Sequence, residues 1–199
     1  MDFEYFSVLF FGGLTRGSIY ALIALGYTMV YGIIELINFA HGEIYMIGAF
    51  TALIFSSVLA MAGLPEVAVI VIAAAVAIIY SSAYGYTIEK IAYKPLRNAP
   101  RLSALISAIG MSLFLQNYVL LAQTSDFLPF PSLIPNFKFW EPFAHILTSQ
   151  ELVILITTVL VMILLTFLIK FTKIGKAMRA TSQDKVMASL LGINVNKVI

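Results

Sequence analysis

The chain has 199 residues, of which 61% are hydrophobic and 11% charged, and its net charge is +2; its mean hydropathy is +0.97. A soluble domain carries about 25% charged residues, so this composition excludes a soluble globule and leaves a polytopic membrane protein. The absence of cysteine excludes disulfides, thiol catalysis and cysteine-ligated zinc, and so small a net charge offers nothing to a nucleic acid.

The chain opens on Met1-Asp2-Phe3-Glu4, which lacks the basic start of a cleavable signal peptide. Runs free of Asp, Glu, Lys and Arg then cover 17–34, 44–65, 67–88, 102–123 and 152–169. A spanning helix needs about 20 apolar residues. Each run therefore predicts one crossing, the first starting upstream near Phe10, with spans at about 10–34, 44–65, 67–88, 102–123 and 151–170. None shows the polar face of a surface helix.

In the first span Gly13, Gly17 and Ala21 recur every four residues, a small-residue ridge suited to close helix packing. Arg16 beside it is expected at the membrane interface, or paired with Glu4. The connection at 31–43 carries Glu35 and Glu43 but no Lys or Arg. Glu35, Asn38 and His41 are three apart and would share one side of a helix, and Gly42 would let the backbone break or another helix approach. Two readings of this segment stay open. It is a short inside turn, or a broken helix folded back at membrane depth under a protein or water-filled cover. A metal site would need more than one His among the carboxylates, and His145 falls on the opposite side of the membrane.

Orientation follows from Lys and Arg. Lys90, Lys94, Arg97 and Arg101 lie between spans three and four, and Lys170, Lys173, Lys176, Arg179, Lys185 and Lys197 follow span five. Both segments are therefore cytoplasmic. The connection at 124–150 holds only Lys138 among Pro129, Pro131, Pro135, Pro142 and a cluster of aromatics. It reads as an irregular external loop lying against the membrane, since proline blocks a regular helix and aromatics favour the headgroup zone. The tail contains Thr181 with Asp184, a start like a capping box, and Gly192 as a stop. Between them Val186, Met187, Leu190 and Leu191 form one apolar stripe. Such a short cytoplasmic helix lies on lipid or docks in a partner's groove. No phosphate-binding loop, nucleophile elbow or zinc-protease motif is present, so no enzyme chemistry is expected on this chain.

Taken together, Gly17-Ser18-Ile19-Tyr20-Ala21-Leu22, Asn38-Phe39-Ala40-His41-Gly42-Glu43, Ser107-Ala108-Ile109-Gly110 with Gln116-Asn117, and Ala177-Met178-Arg179-Ala180 through Gly192-Ile193-Asn194 resemble the permease subunits of bacterial branched-chain amino acid ABC importers. The resemblance implies an all-α, multi-pass subunit of the bacterial inner membrane, with 1–171 as the transmembrane permease region and 172–199 as a cytoplasmic coupling segment. Members of that family are longer, so the bundle is expected to be incomplete, truncated at its C-terminal end with later spans missing. The implied partners are a second permease subunit, two cytoplasmic ATPase subunits that hydrolyse the ATP, a periplasmic substrate-binding protein and membrane lipid, with no cofactor. Glu35, Asn38, His41, Gly42 and Glu43 would line the translocation pathway. Gly175, Ala177, Arg179, Ala180, Asp184, Leu190, Leu191 and Gly192 would carry ATPase coupling. The alternatives are a related importer for urea or short amides, or a structural subunit of a membrane complex.

Overall fold

The computed structural model describes residues 3–34, 37–97, 99–124, 126, 128–131, 133–134 and 146–198. Among these, all regular elements are helical, and five helices are long and apolar enough to cross a membrane. They are α1 (Phe3–Ile34), α2 (His41–Met61), α3 (Glu66–Ile88), α4 (Arg101–Ala122) and α5 (Ser149–Phe171); the shorter α6 (Lys173–Gln183), α7 (Lys185–Leu190) and α8 (Val195–Val198) follow. The five expected crossings are therefore all present, with shifted ends.

The largest shift is at α1, which runs back to Phe3 and has 32 residues. At 1.5 Å per residue that is about 48 Å, more than the roughly 30 Å hydrocarbon core, so part of α1 stands outside it. Glu4 and Arg16 sit on this one unbroken helix, about 18 Å apart along its axis. The pairing between them considered from sequence is not formed. At the start of α5 a full capping box closes the first turn: Thr148 accepts from the Glu151 backbone N–H, and the Glu151 carboxylate accepts from the Thr148 N–H at 2.9 Å.

The chain divides into two compact units, Ile37–Pro135 and Met1–Leu36 with Asn136–Ile199. In the first, α2 and α3 form a hairpin and α4 packs against α2. The core is Ala40, Ile47, Ile88, Leu115 and Val119, with Phe50, Tyr84 and Tyr93 against it. The buried hydroxyls of Thr51 and Ser56 donate back to the carbonyls of Ile47 and Leu53 at 2.8 and 2.9 Å. That local bond removes the cost of an unpaired polar group in an apolar surrounding.

In the other unit α1 lies along α5. Thr15 and Thr158 are buried, and the Thr158 hydroxyl meets that of Ser18 at 3.5 Å. Small and hydroxyl side chains make such contacts because lipid supplies no hydrophobic drive between spans. The ridge of Gly13, Gly17 and Ala21 is not the packed face: all three are exposed, and a Cβ at Gly13 or Gly17 would meet nothing within 4 Å. The contact face is the neighbouring stripe through Gly12, Thr15 and Ser18, a side of the helix that the glycine spacing did not select.

The described residues between Gln123 and Thr148 are without helix, as the prolines there demand. Lys138, Pro135, Pro142 and the aromatics from Phe137 to Phe143 lie outside the described residues.

Candidate functional site

The first cluster is built around the entry to α2. Residues 37–40 are not helical, and α2 starts at His41. The Asn38 side chain explains the break. Its Oδ1 accepts from the Ala40 N–H at 3.0 Å, and its carbonyl accepts from the His41 N–H at 3.2 Å. This is an Asx turn, a local bonding pattern that competes with helix. The expectation of a helical side shared by Glu35, Asn38 and His41 is thereby corrected at Asn38; Glu35 itself lies outside the described residues. Gly42 is also corrected. It sits exposed inside the first turn of α2 with open space around it, so the helix does not break there and no helix among the described residues approaches it closely.

Two further bonds tie this entry to the rest of its unit. Tyr93 donates its hydroxyl to Asn38 Oδ1 at 2.6 Å, and Ser112 on α4 donates to Glu43 Oε1 at 3.0 Å. Glu43 lies in the first turn of α2, where the positive end of the helix dipole favours a carboxylate. His41 is held in the same turn. Tyr93 reaches Asn38 from a π-helical turn, Glu89–Tyr93, that continues α3 and passes into a 3-10 turn at Lys94–Leu96. Pro95 is the physical cause: it has no N–H to give the preceding turn, and it disfavours α conformation in the residue before it. An ion pair between Arg97 and Glu89 closes the same end.

The second cluster is the corner from α5 to α7. Thr172 ends α5 and caps α6: its hydroxyl donates to the Leu168 carbonyl at 2.5 Å and accepts from the Gly175 N–H at 3.1 Å. Gly175 is buried, and a Cβ there would fall on the carbonyl oxygens of Leu168 and Ile169. Ala177 and Ala180 are half-buried, and Arg179 is exposed with its guanidinium 3.4 Å from the Lys170 carbonyl. Thr181 does not start the tail helix. It is fully buried inside α6, its hydroxyl without a partner among the described residues. The cap is Asp184, which accepts from the N–H groups of Val186 and Met187 at 2.8 and 3.0 Å.

The helix expected between Thr181 and Gly192 is therefore shorter: it is the six-residue α7, capped by Asp184, while Thr181 to Gln183 end α6. Leu190 and Leu191 are 77% and 79% exposed, and Val186 and Met187 are exposed with them. Gly192 has φ +83°, and Ile193 N–H reaches the Ala188 carbonyl at 3.0 Å while Gly192 N–H reaches Ser189 at 3.1 Å. This is a Schellman end, which needs a left-handed residue after the helix and so favours glycine.

Sequence reasoning missed Tyr93, Ser112, Thr148 and Thr172. The pattern Thr148-x-x-Glu151 before an apolar run was a readable signal. No local signal announces that Tyr93 and Asn38 meet.

These features define a class: a multi-pass helical membrane protein with a polar, side-chain-locked break before its second span and an exposed apolar helix after its fifth. The chain belongs to the family described as branched-chain amino acid transport system / permease component, whose model matches residues 9–199. Over 204 residues it is 50% identical to the high-affinity branched-chain amino acid transport system permease protein LivH of Salmonella typhimurium and to that of Escherichia coli (strain K12), alignments covering 100% of this chain and 66% of each relative. Against the permease protein BraD of Pseudomonas aeruginosa it is 52% identical over 191 residues, covering 94% of this chain and 62% of the relative. The chain thus spans about two-thirds of the length of these curated relatives. No solved structure matches it. It is a multi-pass protein of the bacterial inner membrane.

Proposed function

We propose that this chain forms membrane-spanning permease structure in an ATP-driven importer of branched-chain amino acids. The observation that carries the reading is identity of 50% along the whole chain to proteins named for that transport. On this reading the chain is not an enzyme; ATP is hydrolysed on two cytoplasmic partner subunits, and a second permease and a periplasmic binding protein complete the machine. Residues 1–171 are the permease region and 172–199 the coupling segment.

Glu35, Asn38, His41, Gly42 and Glu43 belong to the translocation pathway. A zwitterion leaving water needs polar groups near its path, and the locked Asx turn and Glu43 offer them inside a segment otherwise built of apolar spans. Gly175, Ala177, Arg179, Ala180, Asp184, Leu190, Leu191 and Gly192 form the coupling corner. A partner's closure moves a permease only through a stiff contact, and the two capped turns with an exposed apolar stripe supply one.

The test is uptake. The full-length protein is co-reconstituted with its second permease and ATPases in proteoliposomes, with binding protein outside and ATP inside. Leucine, isoleucine and valine should accumulate only with ATP and binding protein. Accumulation of urea or short amides in preference to these, or uptake independent of ATP, overturns the reading.

A further inference from the structure

We propose that a groove between α1, α5 and α6 is a binding site for an anionic phospholipid. The groove has a volume of about 290 Å³. Its walls are Leu25, Met29 and Ile33 of α1, Ile169 of α5 and Met178 of α6, and Arg179 stands at its edge. The two hydroxyls in the lining are already committed: Thr28 donates to the Leu25 carbonyl at 2.9 Å and Ser182 to the Arg179 carbonyl at 2.8 Å. A ligand therefore meets apolar walls and a single cation. A soluble anion gains nothing from such walls, and a neutral apolar molecule gains nothing from the cation. An amphiphile with a chain and an anionic head matches both.

Among the described residues Arg179 is the cation that lines the groove, and the segment that carries it is basic. Lys170 at the end of α5 and Lys173, Lys176 and Arg179 on α6 are all exposed, and the three on α6 recur at the spacing that puts residues on one side of a helix. No Asp or Glu occurs in the sequence between Glu151 and Asp184. Arg179 spends one donor on the Lys170 carbonyl and keeps the rest of its planar fork, whose geometry suits phosphate. Basic pockets beside apolar spans recognise anionic head groups in this way. The site shares Arg179 with the proposed coupling corner but not the transported substrate, and its adducts are read without ATPase subunits, so its failure is distinguishable from failure of the proposed function.

The experiment uses full-length protein in nanodiscs of phosphatidylcholine containing a photoactivatable phosphatidylglycerol, with adducts mapped by mass spectrometry. Adducts should concentrate on the peptides carrying Met29 and Met178, and unlabelled phosphatidylglycerol should displace them where phosphatidylcholine does not. A Cβ at Gly32, which lines the groove, meets nothing within 4 Å, so Gly32→Leu should fill the space and abolish the adducts. Arg179→Gln, on an exposed side chain, should weaken displacement by phosphatidylglycerol about five-fold. Adducts spread evenly over the spans, equal competition by phosphatidylcholine, or Arg179→Gln without effect each overturn the site. So does a Gly32→Leu variant that inserts and keeps its adducts.

Discussion

At Gly175 the backbone turns so sharply between α5 and α6 that a side chain has no place to go. The atoms a Cβ would meet are the carbonyl oxygens of Leu168 and Ile169, which belong to the helix end itself and cannot rotate away. Gly175→Ala should therefore destabilise by about 1–3 kcal/mol, the usual range for overfilling a packed site. The readout is the unfolding midpoint of detergent-solubilised protein, with Gly110→Ala as the control. Gly110 is helical on α4 with nothing near its Cβ position, so that variant should hold its midpoint or gain. A Gly175→Ala midpoint equal to the control would show that the corner relaxes freely. Gly175 could be singled out from sequence by its place beside a basic run, but the reason for it could not, since the obstructing carbonyls belong to the preceding helix. Tyr93 was less legible still. Its bond to Asn38 depends on a π turn forced by Pro95 and spans 55 residues of sequence.

At the scale of helices, apolar length was the reliable guide and capping the weaker one. All five charge-free runs are helices because a chain in lipid has few other ways to satisfy its backbone. The tail was read as one helix because Val186, Met187, Leu190 and Leu191 share a stripe, and the stripe is real. Its start was misplaced because Thr181 and Asp184 compete for the cap, and only Asp184 stands with an extended backbone and free neighbouring N–H groups. The exposed stripe has a consequence for testing. Leu190 and Leu191 are exposed in the folded chain, so Leu190→Ser with Leu191→Ser removes little of the chain's own stability. If an ATPase subunit covers them, the loss is about 1.5–3 kcal/mol per buried leucine. The double variant of the full-length protein should insert normally, co-purify poorly with its ATPases and lose uptake. Wild-type ATPase retention would instead make α7 an interfacial anchor.

For the whole molecule the open matter is which way the spans run, and the acidic connection at 31–43 is where the charge rule strains. Crossing parity puts it on the same side as 89–101, in the cytoplasm, yet it has no Lys or Arg. The geometry removes the difficulty. Asn38 accepts from Tyr93, so the break before α2 lies at the same end of its unit as Lys90, Lys94 and Arg97, which flank Tyr93 in sequence. Glu43 is stabilised by its helix terminus and by Ser112, and it needs no cation of its own. The segment is thus acidic beside a basic neighbour in its own unit, and the charge rule then predicts that this end faces the cytoplasm. Two further crossings, α4 and α5, are expected to return the 172–199 segment to that side and to leave the 124–150 connection external. The chain has no native cysteine, so single-cysteine labelling with an impermeant maleimide reads the arrangement cleanly. Leu128→Cys should react in intact spheroplasts, and Lys173→Cys only after the membrane is opened. The reverse pattern would invert every span at once and with them the sidedness of the coupling corner.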